Sequence, residues 1–141
     1  MIVVDTNIIS EVMRPQPDPA VIQWLDQQET SLLYLTTITL AEIRYGLSIL
    51  PDGERKQRLI NRFEAYVDNA FEGRILDFTA DAASRYADIM ANRRKIGLPM
   101  SMADGQIAAI ASTHHFAVAT RNIKDIDQCG LELVNPFIFT K

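Results

Sequence analysis

Ile2-Val3-Val4-Asp5-Thr6-Asn7 opens the chain, and its reading decides the fold. Three consecutive β-branched apolar residues form a short strand that is apolar toward both faces. That is the pattern of a parallel sheet covered by helices on each side. The run ends at an acid, and a helical pattern follows from Asn7 to Met13. An aspartate at the carboxyl end of a first buried strand stands where open α/β sheets hold their chemistry. A plainer role is open to the same residue, as the N-cap of the first helix.

Outward from this stretch, strands and helices alternate. Arg14-Pro15-Gln16-Pro17 breaks the first helix, and Asp18-Pro19 restarts one with an N-cap acid and proline at the first helical position. Val21, Trp24, Leu25 and Gln28 share a face of it. Leu32 to Leu35 reads as the second strand, and Thr36 to about Leu50 as a helix stopped by Pro51. A long helix from Glu54 to Glu72 carries the stripe Leu59, Ile60, Phe63, Tyr66, Val67 and Ala70. Arg74 to Phe78 holds a third strand. Thr79 caps a helix that ends at Gly97, with Pro99 just beyond. An alanine-rich helix spans Ser101 to Thr113. Phe116 to Ala119 and Leu131 to Val134 complete five strands. The expectation is one α/β domain over residues 1–141, with a parallel sheet between helical layers.

Bulk properties narrow the class. A hydrophobic fraction of 48% in 141 residues supports a packed core and argues against disorder. The single Cys129 makes no internal disulfide, and nothing around it has zinc-site spacing. No apolar run spans a bilayer, and no export signal precedes the first strand. A soluble, cytoplasmic protein is expected. The net charge of −4 argues against nucleic-acid binding if taken alone. Acids gathered at one site would inflate that count without covering the binding surface, so the placement of ten Arg and four Lys matters more.

Glu42 and Asp104 join Asp5 as candidate site residues. Read at helical spacing, Ile38, Ala41, Tyr45 and Ile49 form an apolar stripe with Glu42 inside it, a costly place for an unpaired charge. Asp104 shares its face with Ile107, Ala108 and Ala111. Both also fit capping boxes, Thr39-Leu40-Ala41-Glu42 and Ser101-Met102-Ala103-Asp104. Taken jointly, three carboxylates brought together repel by about 4 kcal/mol per pair at ~4 Å and an effective dielectric near ~20. A hard cation relieves that cost. All-oxygen ligation selects Mg²⁺ or Mn²⁺, and metal-assisted phosphodiester cleavage becomes the leading chemistry. Asn122, at the end of the fourth strand, and Asp125, one helical turn on, are candidates for a fourth group. Asn122 is equally a turn residue, and Asp125 equally a solvated acid.

Four segments carry a resemblance: Val3-Val4-Asp5-Thr6-Asn7, Thr39-Leu40-Ala41-Glu42-Ile43-Arg44-Tyr45-Gly46, Ser101-Met102-Ala103-Asp104-Gly105-Gln106-Ile107-Ala108-Ala109, and Ala119-Thr120-Arg121-Asn122. Each alone is weak. In order, across nearly the whole chain, they resemble a PIN domain, and more narrowly the VapC and FitB-like toxins of bacterial toxin–antitoxin pairs. The resemblance implies a three-layer α/β/α fold with strand order 3-2-1-4-5. It also implies an Mg²⁺- or Mn²⁺-dependent endoribonuclease, a homodimer and a cognate antitoxin, with Asp5, Glu42 and Asp104 at the three acidic metal positions. Many relatives have an acid where this chain has Asn122.

Arg93, Arg94 and Lys95, before the turn that leads to Asp104, and Arg121 and Lys124, beside Asn122, are the candidate RNA contacts by charge. Arg55, Arg58 and Arg62 read more simply as a solvated helix face. Adjacent His114 and His115 do not share a face and suit a helix C-terminus. Ala82, Ala83, Ala87 and Met90 fit a close-packed dimer face or plain core packing equally well. Two other functions compete. A non-catalytic PIN-like binding module would need no acid on an apolar stripe. An aspartyl-phosphate enzyme uses a second Asp two residues after the first, where this chain has Asn7. No glycine-rich nucleotide loop is present.

Overall fold

The computed structural model describes residues 1–138. Its centre is a sheet of five parallel strands in the order β3-β2-β1-β4-β5. β1 is Ile2–Val4, β2 Leu33–Thr36, β3 Ile75–Leu76, β4 Ala117–Ala119 and β5 Leu133–Val134. The first strand is central because its neighbours carry apolar side chains toward both faces. Val3 pairs with Tyr34 on one side and with Val118 on the other.

Alternation along β1 divides the core into two halves. Val4 joins Leu35 and Ala119 under α1 (Thr6–Val12), α2 (Pro19–Asp26), α3 (Thr37–Ser48) and α4 (Glu54–Ala70), where Ile8, Trp24, Leu40 and Phe63 fill the space. Val3 and Val118 face the other way, onto Ile107, Ala108 and Ala111 of α6 (Met102–His114). α5 (Ala80–Lys95) lies outside α6, and the short α7 (Ile123–Ile126) closes that end. Gly105 sets the approach of α5 to α6. A Cβ there would stand 2.9 Å from the Tyr86 ring and 2.5 Å from Met90 Sδ. Ala82 and Met90 are thus occupied in core packing within the chain.

The caps follow sequence logic at several ends. Asp18 accepts from the Ala20 amide with Pro19 at the first helical position, Thr79 accepts from Ala82, and Ser101 accepts from Asp104. His115 ends α6 in the left-handed conformation, with φ 58°. No helix of the described residues is long and apolar enough to cross a membrane.

One helix phase differs from expectation. α3 is capped by Thr36, whose hydroxyl accepts from the Thr39 amide, so Thr39 is a buried helical residue and no capping box forms with Glu42. The inward face is Leu40, Ile43 and Leu47. Tyr45 and Ile49, expected inside, are 67% and 65% exposed, and Glu42 is exposed with them. Thr36 and Thr39 are both buried, and their mutual hydrogen bonding satisfies two polar groups on the core side of the helix. Apolar spacing alone did not reveal that.

Candidate active site

The carboxyl ends of β1 and β4 open into one cleft, lined by Asp5, Thr6, Asn7, Ser10, Glu11, Arg14, Glu42, Asp104, Arg121 and Asn122. Asp5 reaches it because the β1–β4 ladder runs one residue past the strand, with the Asp5 amide donating to the Ala119 carbonyl at 2.9 Å. The side chain is buried and still well served. Oδ1 accepts from the Thr6 amide at 2.7 Å. Oδ2 accepts from the Thr120 hydroxyl at 2.8 Å and from Asn7 Nδ2 at 3.2 Å. Asp5 is therefore the N-cap of α1 and a site residue at once.

Asn7 and Thr120 build the support. The Asn7 amide also donates to Thr120 Oγ1 at 3.3 Å, and its carbonyl accepts from the Arg121 amide at 3.1 Å. The Asn122 amide donates to Thr120 Oγ1 at 3.1 Å. Two side chains from two strand ends thus fix one carboxylate and the turn beside it. Across the cleft, Thr6 Oγ1 donates to Glu42 Oε1 at 2.7 Å and meets Thr39 Oγ1 at 3.0 Å. Asn7 and Thr120 stand inside the segments that carry the family resemblance, but nothing in their spacing marks them as hydrogen-bonding to Asp5.

Asp5 and Asp104 both lie above their ordinary values. Burial pushes the Asp5 carboxyl above its ordinary value of 3.8, and the Glu42 charge pushes the same way; the bonds from Thr120, Thr6 and Asn7 oppose them. Burial also raises Asp104. Asp5 and Asp125 add to the rise, while the Ser101 hydrogen bond and the Arg93 charge lower it. Among the described residues, no three acidic, histidine or cysteine side chains stand together as a ready-made metal shell. The cleft gathers the carboxylates along one lining.

The remaining candidates separate. Asn122 lines the cleft; Asp125 does not, and reaches the site only through its charge on Asp104. Arg121 lines it with its guanidinium 4.6 Å over the Phe137 ring. Arg94, Lys95 and Lys124 are exposed but outside the lining. Arg93 is a correction. It is 3% exposed, and Nη1 donates to the Asp127 carbonyl at 2.6 Å and to Asp127 Oδ1 at 2.9 Å. Nη2 donates to the carbonyls of Lys124 and Asp125, both at 3.3 Å. A guanidinium turned inward to the end of α7 is not presented to a phosphate. Arg55, Arg58 and Arg62 are exposed, as a solvated helix face predicts, and they also rim a groove that adjoins the cleft.

Comparison with known proteins agrees with this architecture. VapC ribonuclease Y4jK of Sinorhizobium fredii is 46% identical over 137 residues, 97% of this chain and 98% of that protein. Toxin FitB of Neisseria gonorrhoeae is 40% identical over 137 residues, covering 97% of this chain and 99% of its own. In the solved structure of FitAB bound to an IR36 DNA fragment, the matching chain has a TM-score of 0.94 at 39% identity, covering 100% of this chain and 99% of that one. The PIN domain model matches residues 2–128, and with the sheet order and these relatives it establishes that the chain belongs to the PIN domain family.

Proposed function

We propose that this chain is a divalent-metal-dependent endoribonuclease, the toxin of a toxin–antitoxin pair. The observation that carries the chemistry is the placement of Asp5, Glu42 and Asp104 along the lining of one cleft at the strand ends. Relatives named VapC ribonuclease and toxin FitB, matched over almost their whole lengths, support the substrate class and the role.

The donor set fits Mg²⁺ or Mn²⁺. Every donor is oxygen, and Asp5 is held in the charged-group geometry although burial and Glu42 both oppose its ionisation. A cation reverses that opposition. Mg²⁺ keeps several of its waters and takes one or two carboxylates, so no complete protein shell is needed. Asp5, Glu42 and Asp104 are the residues that would hold it. Bound there, the ion supplies an acidified water and offsets charge at the phosphoryl group.

The chain's own residues set the geometry. Thr120 and Asn7 lock the Asp5 rotamer, and Thr6 aims Glu42. Arg121, at the lip of the cleft, holds a phosphate oxygen by charge. Asn122 offers an amide where a further acid would add repulsion. RNA as substrate puts the activity in the cytoplasm, with the toxin working as a homodimer and an antitoxin restraining it. Sequencing of RNA ends after induced expression tests the reading, with wild type beside Asp5→Asn. Discrete new ends should appear only with wild type, and the purified protein should stop cleaving in EDTA and resume with Mn²⁺. Cleavage undiminished by EDTA would overturn the metal mechanism.

A further inference from the structure

A groove of about 660 Å³ leads away from the acidic cleft between α1, α3 and α4. The two hollows share Thr6, Ser10, Arg14 and Glu42 as a common edge, so what lies in one continues into the other. Ile43, Leu47 and Leu59 give the groove an apolar floor. Its rim carries four arginines against a single acid, Glu42, on a chain whose net charge is −4.

The four arginines are not equivalent. Arg14 is paired with Glu11 at 3.1 Å. Arg62 donates to the carbonyls of Met13 and Val12 at 3.2 and 3.3 Å, capping the end of α1. Arg55 and Arg58 are exposed and belong to none of the ion pairs among the described residues. Three positions apart on α4, they lie on one face about 4.5 Å apart along the axis. An occupant must match exposed guanidinium groups at the rim and an apolar floor, and must be continuous with whatever occupies the cleft.

We propose that this groove is the track of the RNA strand on one side of the scissile phosphate, with Arg55 and Arg58 as its phosphate contacts. The inference rests on the ribonuclease reading above. A strand with one phosphate among the acids must leave the cleft, and this exit offers cations for the next phosphates and apolar surface for riboses and base faces. It also gives an acidic chain a local place for a polyanionic substrate, because two exposed arginines outside every ion pair of the described residues stand on the rim where the strand would run.

The test is anisotropy of a labelled single-stranded RNA of about a dozen nucleotides, titrated with the full chain in EDTA across a range of salt. Arg55→Ala with Arg58→Ala should weaken binding about tenfold and reduce the slope of log affinity against log salt by about 1.4, the value for two single-strand phosphate contacts. Arg55→Lys with Arg58→Lys should keep most of that slope. Arg85→Glu, an exposed charge reversal on α5, should change neither quantity. If wild type cleaves RNA with Mn²⁺ while the double Ala variant binds RNA with unchanged affinity and slope, the track is refuted and the ribonuclease reading stands. The track is refuted equally if the double variant loses only its complex with a co-expressed antitoxin, which would assign the groove to protein. If wild type neither binds nor cleaves RNA, the underlying reading fails.

Discussion

The Thr6 hydroxyl donates to Glu42 Oε1 at 2.7 Å, tying the first turn of α1 to the middle of α3. The bond decides where an otherwise exposed carboxylate points. Thr39 lies 3.0 Å behind Thr6, and Thr36 lies 3.5 Å behind Thr39. A row of hydroxyls in which each donates to the next therefore ends on the one member of the site that packing does not hold.

Thr6→Val keeps the shape and removes the donor. A hydrogen bond to a charged group contributes roughly 1.5–3 kcal/mol when shielded, and exposure reduces that here. We expect kcat on RNA to fall about tenfold with KM little changed, and the melting temperature to move by less than about 3 °C. Thr6→Ser should recover most of the rate. Equal rates for Val and wild type would mean that Glu42 finds its position without Thr6.

Asp104→Asn should stabilise the metal-free protein at neutral pH. The folded-state pKa of Asp104 is raised above 3.8, so the native state holds this proton more tightly than the unfolded chain. Wild-type stability then falls as pH rises from about 3.8 through the folded-state pKa, and the whole cost is present above it. Asn carries no such cost. Melting in EDTA should show the variant a few degrees higher at pH 7, the gap closing as pH falls toward 4. Millimolar Mn²⁺ should reverse the order, raising wild type by mass action and the variant much less. A gap independent of pH would assign the effect to packing.

Arg93→Met tests the clamp on α7. The side chain volume is kept, but three carbonyls and Asp127 lose their donor. Asp127 is 39% exposed and can rehydrate, so the cost should be about 2 kcal/mol, below that of breaking a fully buried pair. Amide exchange should quicken at Ile126 and Asp127 before it does in α6. RNA affinity should keep its salt slope, because Arg93 faces no phosphate. A reduced slope would restore it as an RNA contact.

Most of the architecture was legible because it rests on short apolar runs and strong punctuation. The Ile2-Val3-Val4 run, the Asp18-Pro19 start and the Thr79 and Ser101 caps each have one local cause. The site was legible only as three acids in suggestive places. The stripe that makes Glu42 a candidate does not hold together: Ile38 packs on the core, Ala41, Tyr45 and Ile49 face outward, and the helix turns on buried Thr36 and Thr39 instead. Arg93 misled in the opposite sense. In a run of three basic residues one is expected to be solvated, and only the tertiary placement of α7 gives it four acceptors. Neither outcome depends on local periodicity, which is why sequence spacing could not settle them.

Gly105→Ala tests the seam beside Asp104. The added methyl meets the Tyr86 ring and Met90 on α5. Met90 can move, the ring less easily, so the cost should be about 1–3 kcal/mol. Activity should fall more than stability alone predicts, since α6 carries Asp104 in its first turn. Unfolding at moderate urea with unchanged activity in its absence would confine the effect to packing.

Asn7→Asp asks what the neutral amide contributes next to Asp5. Asn7 Nδ2 donates to Asp5 Oδ2, while Oδ1 receives the Arg121 amide. A carboxylate keeps the second bond, loses the first and adds a like charge at contact distance. Asp5 already lies above its ordinary value through burial and Glu42, and another anion raises it further. The native state then binds protons still more tightly, so the variant should be less stable than wild type at pH 7 and approach it as pH falls. The acid limb of the cleavage profile should shift to higher pH, because Asp5 must lose its proton to act as a ligand. High Mn²⁺ should offset part of the repulsion and return the limb toward the wild-type position. Asn7→Ala removes the donor without adding charge and should lower the rate while leaving the limb closer to wild type. If Asp and Ala shift it equally, the lost hydrogen bond governs Asp5; if only Asp shifts it, charge does, and the amide at position 7 serves to keep a further negative charge away from Asp5.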